Sequence, residues 1–202
     1  MSVDLLALEA HPAWRRVESL FDEWKRVLDE DVEFSLAESD WHTKDHCTRD
    51  LAYALLIGAQ LGLDESALNA LGAAAAYHDS RRHDDWLDVG HGARAAEYYQ
   101  RECDAGKLPF DERAYLAMAY HDRDDEVGIA RIEEAGLADG VTIYKAFKDA
   151  DGLDRFRLGE GALDESMLRT DPAHDLVEAA RRLSSAGAMP GDGAAMGDEE
   201  HA

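Results

Sequence analysis

Apolar residues recur at helical spacing along almost the whole of this chain, and no stretch rich in Val, Ile and Thr keeps up a period-two alternation. That pattern leaves little room for a sheet and makes an all-α domain the expected fold class, a helical bundle with one core. The spacing predicts helices over His11 to Asp29, Thr43 to Leu61, Glu65 to Tyr77, Gly90 to Cys103, Asp111 to Tyr120, Glu126 to Ala135, Val141 to Asp151 and Asp171 to Leu183. Breaker-rich connections support the divisions: GLDES before the third helix, AGKLPFDE before the fifth, AGLADG before the seventh. Residues 1–40 are expected to pack a helix on a core domain of residues 41–185. Residues 186–202, rich in Gly, Ala and acid, read as a disordered acidic tail.

With 202 residues and 46% hydrophobic content, the chain can bury a single core. Its 44 acidic residues outnumber 21 basic ones, of which five are lysine, for a net charge of −23. Such a balance argues against nucleic-acid polymers and anionic membranes as partners. Cys47 and Cys103 are too few for a disulfide framework. The start MSVDLLALEAHPAW has no basic leader, and the longest nearly apolar run, LAYALLIGAQLGL, falls short of the roughly 18 residues a membrane span needs. A soluble cytoplasmic protein is the expectation.

Chemistry first shows in LGAAAAYHDSRRHDDW, Leu71 to Trp86, which holds two His-Asp pairs. With 9 His and 26 Asp in the chain, roughly one such pair is expected by chance, yet there are four: His78-Asp79, His83-Asp84, His121-Asp122 and His174-Asp175. Helical facing separates them, because positions three, four or seven apart share a face. Leu68, Leu71, Ala74 and Ala75 form a stripe that continues into His78 and Asp79, whereas His83-Asp84 lies in a charged run expected at the surface.

The same test turns other histidines inward. His46 shares a face with Tyr53 and Ile57, and His42, His46 and Asp50 form an i, i+4, i+8 row. His91 precedes Ala95 and Tyr98, in a small-residue start, HGARAA, that permits close approach to a neighbour. His121 ends a stripe of Ala114, Ala117 and Met118. Tyr144 and Phe147 lead to Asp151, while Asp149 follows Lys145 and Thr142 on what reads as the polar side. One buried histidine is ordinary when a hydrogen bond satisfies it. Four of them with two aspartates are costly to bury unless a cation joins them, and a divalent metal would relieve the cost.

The order of these motifs, His46 in HCTRDLAYALLIGAQLGL, then His78-Asp79, HGARAAEY, His121 and KDADGLDRFRLG, resembles the HD-domain superfamily of metal-dependent phosphohydrolases. The resemblance spans Trp41 to Arg169. It implies a first metal held by His46, His78, Asp79 and Asp151, with His91 and His121 extending the set to a second. The ions could be Mn, Fe, Co, Mg, Ni or Zn. Ala150, Asp151 and Asp154 match the late motif, and Asp149 is the fallback ligand. Two departures stand out: Ser80, Arg81 and Arg82 follow the His-Asp pair where the family often has an apolar residue, Gly and a basic residue, and Asp50 follows Arg49 where Val is common.

The activity so implied is hydrolysis of a phosphate ester or anhydride of a small phosphorylated substrate, a nucleotide or similar metabolite, by metal-activated hydroxide. In that scheme Asp79 bridges two ions, and Arg49, Arg82 and Lys148 are the nearest candidates for neutralising phosphate. Arg49 could instead pair with Asp45 or Asp50. Other readings are a di-iron oxygenase, since the fold is also similar to that of myo-inositol oxygenase, and a non-catalytic metal-binding regulatory module. HTKDH places two histidines at i, i+4 but lacks the general-base Glu of zinc peptidases. Selectivity would come from loops such as Ser80 to Gly90 and Asp122 to Val127. The oligomeric state is left open.

Overall fold

A computed structural model describes residues 5–187, with side chains to 184. Among these residues there is no strand. The helices are α1 (Leu6–Glu9), α2 (Trp14–Glu30), α3 (Lys44–Gln60), α4 (Glu65–Tyr77), α5 (His91–Asp104), α6 (Glu112–Tyr120), α7 (Asp125–Ala135), α8 (Gly140–Leu153) and α9 (Asp171–Gly187), with 3-10 turns at Asp154–Leu158 and Glu165–Met167. All eight expected helices are present. α1 was not foreseen, because four residues are too few to display a period. α2 starts at Trp14 instead of His11, since His11 and Pro12 form the turn ahead of it and His11 Nδ1 accepts from the Ala13 N–H at 3.2 Å. α9 runs to Gly187, past the expected stop at Leu183 and into the segment read as tail; the rest of that tail lies outside the described residues. No helix among the described residues is long and apolar enough to cross a membrane.

The centre of the bundle is α3. From His46 to Ala59 every residue except Arg49 is buried, so this helix is covered on all sides by others. α4 lies against it, and its run Ala70 to Ala76 keeps the two axes close. α2 crosses both with a stripe of Trp14, Val17, Phe21, Trp24 and Leu28, whose alternating steps of three and four keep one face inward. Each such side chain contributes roughly 1.5–3 kcal/mol on burial. Trp24 seats over Gly72, where a Cβ would meet its ring at 2.3 Å. Arg16 closes the far end of α3, donating to the carbonyls of Ala59 at 2.7 Å and Leu63 at 2.5 Å. α5, α6 and α8 complete the enclosure, and one continuous apolar core runs from Leu5 to Ala180.

His46 Nε2 lies 3.3 Å from His78 Nε2, and His91 Nε2 lies 2.8 Å from His121 Nε2. The start of α3 therefore lies beside the end of α4, and the start of α5 beside the end of α6. The polar ends of these helices meet at one side of the bundle.

Candidate metal centre

Five helix ends deliver the inward-facing histidines and aspartates. His46 is in the first turn of α3, where Thr43 caps the helix and accepts from the His46 N–H at 3.3 Å. His78 closes α4 and Asp79 follows it; His91 is the first residue of α5; His121 closes α6; Asp151 lies in the last turn of α8. His46, His78, Asp79, His91 and His121 are buried, and the side chain of Asp151 is 34% accessible. The site is thus enclosed except where Asp151 meets solvent.

Hydrogen bonds fix which ring nitrogen faces inward. Nδ1 of His78 lies 3.0 Å from the Ala75 carbonyl, Nδ1 of His91 2.7 Å from that of Asp88, and Nδ1 of His121 2.7 Å from that of Met118. A carbonyl only accepts, so each Nδ1 carries the proton. Nδ1 of His46 donates in the same way to Asp154 Oδ2 at 2.8 Å, and Arg49 holds that carboxylate through Nε at 2.5 Å and Nη2 at 2.9 Å. In the neutral ring, all four Nε2 lone pairs therefore point into one space. His46 Nε2 and His78 Nε2 are 3.3 Å apart, and His91 Nε2 and His121 Nε2 are 2.8 Å apart. Lone pairs set this close repel unless a proton or a cation lies between them.

Carboxylates crowd the same space. Asp79 divides its oxygens: Oδ2 is 3.4 Å from His46 Nε2 and 3.6 Å from His78 Nε2, while Oδ1 is 3.1 Å from His91 Nε2 and 3.4 Å from Arg82 Nη1. Asp151 Oδ1 is 3.6 Å from His46 Nε2. Donors about 2.1 Å from a common ion lie roughly 3.0 Å apart at right angles and 3.4 Å apart at the tetrahedral angle, so these separations suit a shared ion. Two groups have ligand atoms mutually close enough to hold one, His46, Asp50, His78 and Asp151, and His78, Asp79 and His121.

Electrostatics supports the same reading. Burial, the largest influence on His46, disfavours its charge, as does Arg157, yet Asp50, Asp154 and Asp79 outweigh both and raise its pKa to about 10. Burial pushes His78 down to about 3, opposed only in part by Asp79. Burial holds the Asp50 carboxyl well above the usual carboxylate range. The metal-free cluster thus retains protons that a cation would displace.

Other predicted residues fall in different places. Arg82 is buried at the site: Nη1 is 3.1 Å from His91 Nε2, Nη2 donates to the Trp86 carbonyl at 2.5 Å and Nε to that of Asp84 at 3.2 Å. Arg49 is engaged with Asp154, not with Asp45 or Asp50. Lys148 is directed away from the cluster, pairing with Asp125 at 2.7 Å and donating to the Arg123 carbonyl at 2.8 Å. His83 is exposed, as its charged surroundings suggested.

Asp149 corrects the facing argument at one position. It is fully buried, not on a polar face, because the segment after the second 3-10 turn covers that side of α8. There it accepts from the Arg169 N–H at 2.9 Å and from Thr170 Oγ1 at 2.7 Å, outside the cluster. The fallback role is therefore filled by a structural tie. The sequence reading also left Asp50 out of the ligand set, although its i+4 spacing from His46 was the available signal.

Comparison of the chain with family models, with curated proteins and with solved structures returns no match. The ring nitrogens and carboxyl oxygens that converge here, Asp50's among them, form a donor set that fits a divalent cation.

Proposed function

We propose that this chain is a metal-dependent phosphohydrolase of the HD-domain type, acting on a phosphate ester or anhydride of a nucleotide or other small phosphorylated metabolite. The observation that carries the reading is the split of Asp79, one oxygen toward His46 and His78 and the other toward His91. A carboxylate so placed can serve two adjoining ligand sets, His46, His78, Asp79 and Asp151 on one side and Asp79, His91 and His121 on the other. A divalent ion held there supplies Lewis acidity, drawing density from a phosphoryl oxygen and lowering the pKa of water towards about 7.

The chain's own groups do the positioning. Asp154 orients His46 and fixes its tautomer, and Arg49 in turn holds Asp154. The Ala75, Asp88 and Met118 carbonyls do the same for His78, His91 and His121. Arg82, anchored by the Trp86 and Asp84 carbonyls, presents positive charge beside Asp79 and is the basic group best placed to meet a phosphate. Access lies past Asp151. A surface at −23 repels polyanions, which favours a small substrate over a polymer.

The test is metal content and phosphate release over a panel of nucleotides and phosphate esters with Mn²⁺, for wild type and Asp79→Ala. The expected result is bound transition metal and oxygen-independent release that Asp79→Ala abolishes. Protein that purifies without metal and stays inert on the whole panel would refute the reading; dependence on oxygen would point to the di-iron alternative.

A further inference from the structure

Asp50 is the one buried acid of this cluster that the family pattern does not supply, since Val is common at that position. We propose that Asp50 is a ligand of the same ion as His46, His78 and Asp151, an inference that rests on the metal-dependent reading above. Its side chain is fully buried and neither oxygen has a hydrogen-bond partner. A fully buried acid whose nearest polar groups are the His46 and His78 rings carries a heavy desolvation cost, and an apolar side chain of similar size would fill the space without it.

Its position is that of a ligand. Oδ2 lies 3.2 Å from His46 Nε2 and 3.5 Å from His78 Nε2, close to the 3.4 and 3.6 Å that Asp79 keeps from the same rings and the 3.6 Å that Asp151 keeps from His46. Asp50 stands one turn after His46 on α3, so both side chains leave the same face of a helix whose surroundings hold it rigid. Asp50 joins His46, His78 and Asp151 in a set of four donors mutually close enough to hold one ion, and Asp79 reaches two of the same rings. Two carboxylates in that set, with the Asp79 carboxylate beside it, favour an oxygen-preferring ion such as Mn²⁺ or Fe²⁺ over Zn²⁺.

The experiment compares wild type, Asp50→Val and Asp50→Asn by calorimetric titration with Mn²⁺, by thermal melting without metal, and by the visible absorption of the Co²⁺ forms. Asp50→Val is expected to fold and to melt without metal close to the wild-type temperature, since the desolvation cost it relieves is offset by loss of the 3.2 Å contact with His46. Its Mn²⁺ affinity should fall at least about tenfold. Its Co²⁺ absorption should intensify, as it does when coordination number drops. Asp50→Asn keeps the shape and decides the same comparison if the valine variant fails to fold. Variants that bind Mn²⁺ like wild type and leave the Co²⁺ spectrum unchanged would make Asp50 a buried acid only and overturn the inference while leaving the metal site standing. A wild type that binds no divalent ion would overturn both.

Discussion

Gly92 is where the packing of the bundle and the geometry of the site can be tested together. An alanine Cβ there would lie 2.3 Å from the Met118 carbonyl oxygen and 2.7 Å from His121 Nδ1. Those two atoms are the acceptor and donor of the bond that orients His121. Real Cβ contacts essentially never fall under 3.0 Å, so the carbonyl must retreat by at least 0.7 Å, the difference between 3.0 and 2.3 Å. Because that carbonyl belongs to the α6 backbone, the retreat parts α5 from α6 at the ends that carry His91 and His121. Overpacking against backbone costs about 3 kcal/mol, at the upper end of the usual range, and the helix preference of Ala over Gly returns about 1. The net loss of about 2 kcal/mol corresponds to a melting temperature lower by about 4–8 °C for a chain of this size. Thermal melting of Gly92→Ala beside Gly161→Ala checks it, since a Cβ at Gly161 meets nothing within 4 Å. Metal titration of the same pair should show weakened binding only for Gly92→Ala. A Gly92→Ala protein that melts and binds metal like wild type would refute the close approach of α5 to α6.

Asp154→Asn should lower metal affinity by about 10–100-fold, because it removes the charged acceptor of His46 Nδ1, and should destabilise the fold by about 3–5 kcal/mol by stranding Arg49; titration calorimetry and urea unfolding measure the two separately. Asp125 gives a pH signature away from the site: burial opposes its ionisation, but Arg169 and Lys148 overcome this and lower its pKa to about 2. With an unfolded value near 3.9, its stabilisation is complete above about pH 4 and is lost as pH falls towards about 2, so Asp125→Asn should flatten that part of the acid-unfolding curve, and an unchanged curve would count against the pairing.

The helices were legible because their apolar stripes have a period long enough to count, and α4 keeps its predicted bounds, Glu65 to Tyr77. His78, Asp79, His91 and His121 were legible for a related reason: each prolongs or begins a stripe, so facing alone turns it inward. An apolar stripe stops marking the inner face where a helix is buried on more than one side. α3 is enclosed all round, so an apolar stripe cannot rank Asp50 against its neighbours. α8 is covered on a second face by Arg169 and Thr170, which made the polar side of Asp149 an interior. Arg82 sits in a run of charge that reads as solvated, and only the fold of residues 79–90 places its guanidinium against His91.

Placing every ligand at a helix end has an energetic consequence. No single helix holds a site, since His46 and Asp50 come from α3, His78 from α4, His91 from α5, His121 from α6 and Asp151 from α8. The unfolded chain scatters these donors over about a hundred residues and cannot gather them, so a cation held by them would bind almost wholly to the folded state and add to its stability. The carboxyl ends of α4, α6 and α8 turn negative dipole poles toward the cluster, each worth about 0.3–1 kcal/mol to a cation, and the amino ends of α3 and α5 offset most of this. That balance is small beside the cost of burying Asp50 and two close imidazoles together without a cation. α3, buried along its length, fixes the positions of His46 and Asp50, whose crowding a cation would relieve.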